Sequence, residues 1–310
     1  MLSLPIEMKK FFTTIILISC AQFLFAQNVR EWKDIKYAGD TLTGHRLDIY
    51  LPANGDGPFP VVVAIAGSAW FANNNKEWAY KQNKELLLNG FAVVAINHRS
   101  SHEVIFPAQV NDVKAAVRYI RGRASEFQLD TRFVGITGNS SGGHLSAMMG
   151  FTGGGKAYTV GSTTVSIEGA FGDYKDQSSR VDAVVDWYGP TNFLVMDSCG
   201  SNMNHDAIDS PESTLVGGLI QENMEMCALA NPVTYIDKDD PPILILHGDA
   251  DLTVPHCQSV LLHDAVQAEG ARSKLIIVPG AGHGPGMHIP KYIEEMSSFF
   301  KQEYERKISK

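Results

Sequence analysis

Apolar positions recur along this chain in two rhythms. Val61 to Ala66 reads Val-Val-Val-Ala-Ile-Ala, apolar at every position, the pattern of a strand buried on both faces. Leu47 to Leu51, Phe91 to Ile96, Phe133 to Thr137, Val181 to Trp187, Ile243 to Leu246 and Lys274 to Val278 are further short runs read as strands. Between them the period lengthens. Val110, Val113, Val117, Ile120 and Ala124 fall three or four residues apart, one face of a helix that Pro107 opens. Helices are also expected over Glu77 to Leu88, closed by Asn89-Gly90, and over Gly143 to Gly150, Pro255 to Ala268 and Pro290 to Glu303.

Strands alternating with helices predict an α/β fold, a mostly parallel doubly wound sheet covered on both faces. In such sheets the functional groups gather at the carboxyl ends of the strands. Two segments break the alternation: Thr152 to Arg180, rich in Gly, Ser and Thr, and Thr191 to Asp240. Both are expected to form a cap over that end.

The 310 residues suit one large domain after a short leader, and 44% apolar residues is a globular composition. A net charge of -8 without a long Lys/Arg run argues against a nucleic-acid partner. Met8-Lys9-Lys10, the apolar run Phe11 to Phe25 and then Ala26-Gln27 read as a secretory signal peptide over residues 1–26. The run is short for a stable membrane span and is interrupted by Thr13, Thr14, Ser19 and Gln22. Leu17-Ile18-Ser19-Cys20 resembles a lipoprotein signal, but the apolar core continues past Cys20, so free export is expected. Cys199, Cys227 and Cys257 remain. Cys199 with Cys227, which share the second insertion, is the expected disulfide; three unpaired thiols is the alternative.

Gly138-Asn139-Ser140-Ser141-Gly142 stands between a strand and a helix and matches the G-x-S-x-G nucleophile turn. Glycine two residues before and after the serine removes side chains from a sharp bend. The register selects Ser140, because centring on Ser141 would need glycine at 139. A serine nucleophile needs a base, and the base an orienting carboxylate, in the chain order Ser, Asp, His. The strand ending at Leu246 runs into His247 to Pro255, where Asp251 is the expected acid and Asp249 a loop brace. The last strand runs into the glycine-rich loop Pro279 to Gly284, where His283 is the expected base. His247, His256, His263 and His288 lie in less suitable places, and His144, on the helix after the turn, is read as structural. Backbone N–H groups of Ser141, with Ser68 or Ala69 in the loop Ala66 to Trp70, are the expected oxyanion donors. No zinc-ligand spacing or phosphate loop occurs, so no metal or organic cofactor is expected.

Taken with Asn97-His98-Arg99, Phe106 to Gln109, Asp112 to Ala116, Val185 to Thr191 and His247 to Pro255, these segments resemble the bacterial bifunctional feruloyl/acetyl-xylan esterases. That branch of the α/β-hydrolases is related to the hormone-sensitive-lipase-like esterases. The resemblance implies a secreted serine carboxylic-ester hydrolase working through an acyl-enzyme on acylated carbohydrate such as xylan. Trp70, Trp187 and Tyr188 are then candidates to stack on sugar or ferulate rings, although Trp187, ending a buried strand, reads equally well as core. One feature departs from the pattern: Ala66-Gly67-Ser68 stands where the family usually has His-Gly-Gly. A general small-ester carboxylesterase or lipase, and a catalytically silent sugar-binding homologue, are the competing readings. A prolyl-peptidase relative is disfavoured by the short stretch before Gly138.

Overall fold

The computed structural model describes residues 30–309. The expected leader, with Cys20, lies outside the described residues. The strands are β1 (Arg30–Lys36), β2 (Arg46–Leu51), β3 (Phe59–Ile65), β4 (Ala92–Ile96), β5 (Leu129–Asn139), β6 (Tyr158–Val160), β7 (Thr163–Val165), β8 (Ala183–Trp187), β9 (Ile243–Gly248) and β10 (Ser273–Val278). The α-helices are α1 (Lys76–Asn83), α2 (Ala108–Gly122), α3 (Ser141–Phe151), α4 (Pro211–Val216), α5 (Met224–Ala230), α6 (Cys257–Ala268) and α7 (Pro290–Ile308).

Eight strands form one sheet in the order β1-β2-β4-β3-β5-β8-β9-β10. From β4 to β10 every neighbouring pair is parallel, while β1 and β2 run antiparallel at one edge. The continuous apolar runs are explained by alternation across two cores. Val61, Val63 and Ile65 point to one face, under α2, α3 and α6, and Val62 and Ala64 point to the other, under α1 and α7. The α/β-hydrolase expectation therefore holds at the level of architecture.

Two expectations shift at element boundaries. The helix expected through Leu88 is α-helical only to Asn83; a tighter 3-10 turn over Lys84–Asn89 carries it to Gly90, whose φ of 82° suits glycine. The strand expected over Phe133 to Thr137 extends to Leu129–Asn139, because β3 and β8 supply partners on both sides. The strand β1 had no clear apolar signal. Its Arg-Glu-Trp-Lys-Asp-Ile-Lys sequence is mostly polar, and pairing with β2 rather than its own pattern holds it.

The chain order places a crevice. From β3 the chain crosses by α1 to β4, and from adjacent β5 by α3 to β8, on the opposite side and opposite face. The carboxyl ends of β3 and β5 thus diverge, which opens the sheet where ligands bind in such folds.

The first expected cap segment does not lie there. A helix reverses the chain, so residues after α3 begin at the amino end of the sheet. They form the β6–β7 hairpin and pack along α2. Fully buried Lys114 donates to the Thr152 carbonyl at 2.9 Å and pairs with Glu168 at 3.2 Å. Burial pulls the Lys114 ammonium below its ordinary range, with Glu168 opposing. Arg118 also pairs with Glu168, and Asn111 holds the Ile167 carbonyl.

Breaking this cluster on one side leaves charge buried without a partner. Glu168→Ala is expected to destabilise the fold by about 3 kcal/mol, more than Lys114→Met, which removes the charge itself. Urea unfolding of both variants, with the denaturant slope unchanged, checks the order.

Candidate active site

Ser140 sits at the tip of a bend between β5 and α3, with φ 54° and ψ -124°. Such a conformation in a residue with a side chain costs on the order of 1–3 kcal/mol, so its surroundings must impose it. The Ser140 N–H donates to the Trp187 carbonyl at 2.8 Å, and its own carbonyl accepts from His144 at 3.0 Å. A Cβ at position 138 would lie 2.3 Å from the Gly142 carbonyl oxygen, and one at position 142 would lie 2.4 Å from that of Ile65. The two glycines that singled out this serine are therefore required by backbone packing.

The three expected partners meet. His283 Nε2 lies 2.9 Å from Ser140 Oγ, and His283 Nδ1 lies 2.7 Å from Asp251 Oδ2. Because Asp251 only accepts, Nδ1 carries the proton and Nε2 is free to accept from Ser140. Asp251 Oδ1 accepts from the N–H groups of Thr253 and Val254, both at 2.9 Å. Burial alone would raise the Asp251 carboxyl; hydrogen bonds from His247, His283 and Val254 outweigh it and hold the group well below the usual carboxylate range. His247 is buried beneath, bonded to Ser259 Oγ at 2.6 Å and to the Val254 carbonyl at 2.7 Å. Asp249 accepts from the Gly280 N–H at 2.7 Å and ties the acid loop to the base loop.

The loop after β3 is built differently from expectation. Gly67 donates to Asn139 Oδ1 at 3.0 Å, and the Ser68 N–H is taken up by Ser141 Oγ at 2.9 Å. Ala69 and Trp70 follow at φ 53° and 60°. The N–H groups of Ala69 and Ser141 have no hydrogen-bond partner among the described residues. Of the three expected oxyanion donors, Ser68 is thus already engaged, and Ala69 and Ser141 have donor capacity to spare. The Trp70 indole donates to His144 Nδ1 at 3.3 Å, and His144 Nε2 donates to the Ala230 carbonyl at 2.7 Å. Burial holds the His144 pKa down to about 4, so the ring is neutral and joins the loop, the elbow helix and the second insertion.

A pocket of about 270 Å³ opens over Ser140 and His283. Trp70 lines it. Trp187 and Tyr188 do not, contrary to expectation: Trp187 is buried in the second core, stacked 4.6 Å from His288, and Tyr188 stands edge-on behind His283 with its hydroxyl on His288. The alternation of β8 turns Trp187 inward, away from the mouth. The walls come instead from Met203, His205, Pro211 and Glu212 of the second insertion and from Thr253 and Val254. No residue of 152–180 contributes, so the second insertion alone covers the site. His205 and Glu212 had no sequence signal, because their segment carries neither periodicity nor motif.

Residues 47–266 match the profile of the family BD-FAE. The chain belongs to the BD-FAE family. The match includes Ser140 and Asp251 and stops before His283. Among solved structures, one titled a truncated form of a carbohydrate esterase from gut microbiota is 47% identical, with a TM-score of 0.86, covering 88% of this chain and 96% of that one. A bifunctional GH43-CE from Bacteroides eggerthii is 51% identical, with a TM-score of 0.84, covering 88% of this chain and 38% of that one. A Mycobacterium tuberculosis protein named probable carboxylic ester hydrolase LipM is 31% identical over 73% of this chain and 51% of its own length. The chain spans about half the length of curated relatives it matches.

In this BD-FAE chain a disulfide holds the cap in place, and it is not the expected one. Cys199 pairs with Cys257, at a Cα separation of 6.3 Å, while Cys227 is buried and free on α5. The reason is the path of the insertion. After Cys199 it turns back onto the acid loop, where Ser201 Oγ meets the Leu252 and Thr253 carbonyls and the Asn202 N–H donates to Leu252 at 2.8 Å. Cys257 opens α6 just beyond that loop.

The bridge spans 58 residues, and loop closure on that scale stabilises by up to about 4 kcal/mol. Cys199→Ser is expected to lose several kcal/mol and to raise KM more than it lowers kcat. Denaturant unfolding and steady-state kinetics check this, with wild type under reducing and oxidising conditions as the comparison that leaves the buried Cys227 untouched.

Proposed function

We propose that the protein is a serine carboxylic-ester hydrolase that removes acetyl or feruloyl groups from plant polysaccharide such as xylan or its oligosaccharides. The observation that carries the reading is the hydrogen-bonded series Ser140–His283–Asp251 at the mouth of a pocket. The names of the curated relatives and the titles of the two solved structures support ester chemistry and a carbohydrate alcohol. Export is proposed from the leader-like residues 1–26, with the disulfide in support.

In the proposed cycle His283 Nε2 takes the proton of Ser140 as Oγ attacks the ester carbonyl. Asp251, held ionised, stabilises the imidazolium that forms. The oxyanion accepts from the N–H groups of Ala69 and Ser141, each such donor being worth roughly 3–4 kcal/mol in the transition state. The imidazolium then gives its proton to the leaving alcohol. Water, deprotonated by the same ring, releases the acid and restores Ser140.

Ser140→Ala is expected to abolish labelling by a fluorophosphonate and to lower kcat by a factor on the order of 10⁴ or more. Asp251→Asn should cost a comparable factor, about 10⁴, while the serine remains in place. A panel of acetylated xylan, methyl ferulate, 4-nitrophenyl acetate and long-chain esters checks the substrate class. Exclusive turnover of long-chain esters would overturn the carbohydrate reading, and a folded protein that takes no label would overturn the enzyme reading.

A further inference from the structure

One wall of the pocket carries a charge that the proposed cycle does not use. Glu212, in the first turn of α4, is 3% exposed, and His205 is 2% exposed. His205 Nδ1 lies 2.9 Å from Glu212 Oε2, and its Nε2 lies 3.0 Å from the Thr253 carbonyl. Glu212 only accepts, so Nδ1 carries a proton toward it, while Nε2 also lies 2.9 Å from Ser201 Oγ, a hydroxyl that can donate or accept. The ring thus donates to a buried carboxylate. Burial disfavours its charge, and Glu212, the Thr253 carbonyl and Asp197 outweigh that and raise its pKa. Desolvating a carboxylate is costly, and the neighbouring walls of Met203, Pro190, Pro211 and Val254 offer no compensation.

Only one carboxylate oxygen is occupied. Glu212 Oε1 makes no hydrogen bond among the described residues, yet it is not sealed from solvent as the buried partnerless atoms are. Glu212 lines the pocket that Ser140 and His283 also line, so this acceptor belongs to its wall. A carboxylate fixed by a hydrogen bond from His205 on one oxygen and bare on the other is suited to a neutral ligand rich in hydroxyl donors. It is unsuited to a second anion.

We propose that Glu212 is a specificity-determining residue that accepts a hydrogen bond from a sugar hydroxyl on the alcohol half of the ester, with His205 as the positioning residue that aims it. The inference rests on the carbohydrate-ester reading above. It accounts for a buried charge in an otherwise mostly apolar wall. A sugar alcohol supplies the hydroxyl donors such an acceptor needs, whereas an acetyl group supplies none.

The test compares two acetyl esters that differ in the alcohol, an acetylated xylo-oligosaccharide and 4-nitrophenyl acetate. Glu212→Gln is expected to lower the ratio of kcat/KM for the sugar ester to that for the aryl ester at least tenfold, chiefly through KM. Should Glu212→Gln fail to fold by circular dichroism, Glu212→Asp keeps the charge opposite His205 and withdraws Oε1 by one methylene, and the same fall in ratio is expected. A ratio within twofold of wild type in a folded variant overturns the role of Glu212 and leaves the carbohydrate reading standing. Wild-type turnover of the aryl ester with none of the sugar ester overturns that reading, and this inference with it.

Discussion

The backbone of Gly142 lies against the carbonyl of Ile65, so close that no side chain fits between them. That contact between the end of β3 and the start of α3 is the constraint on which the site depends. It lets the chain turn at Ser140 in a conformation that residues with side chains avoid. It also brings the loop after β3 within hydrogen-bonding reach of the turn, where Asn139 and Ser141 hold the Gly67 and Ser68 N–H groups. The nucleophile turn and the oxyanion loop are in effect one folded unit, set at the point where the sheet order reverses.

The acid and base loops are fixed to that unit by a second set of interactions. Asp249 bridges to Gly280, Asp251 folds its own loop onto its carboxylate, and buried His247 closes the loop from below. A carboxylate so well supplied with donors stays ionised despite burial, which is the state that orients His283. The second insertion then clamps the same loop from above through Ser201, His205 and the Cys199–Cys257 bridge. Cap and acid loop are therefore coupled, and the shape of the pocket is tied to the placement of Asp251.

The departure at Ala66 to Ser68 takes its meaning from this arrangement. Ala66 packs its methyl into the apolar core of the second face, and the loop is braced elsewhere. The Trp70 indole on His144 and the Trp70 carbonyl on the Ser101 N–H at 2.9 Å hold it from its far end. Neutral His144 serves as the joint because burial denies it a proton, leaving one nitrogen to donate and the other to accept.

Local periodicity and spacing determined the order of strands and helices and the serine of the turn. Chain order also pointed to Asp251 and His283, because each ends a strand of a sheet whose active ends all face one way. These features depend on neighbours a few residues apart, and residue patterns record such neighbours directly. Pairing across distance decided the rest. The mostly polar β1 is held by β2, Trp187 is turned inward by the pleat of β8, and Thr152 to Arg180 is carried to the wrong end of the sheet by the reversal of α3. Cys199 found Cys257 rather than Cys227 because the insertion folds back on the acid loop, and the same fold brings His205 and Glu212 to the pocket wall. An irregular segment has no period to read, since its conformation is set by what it packs against.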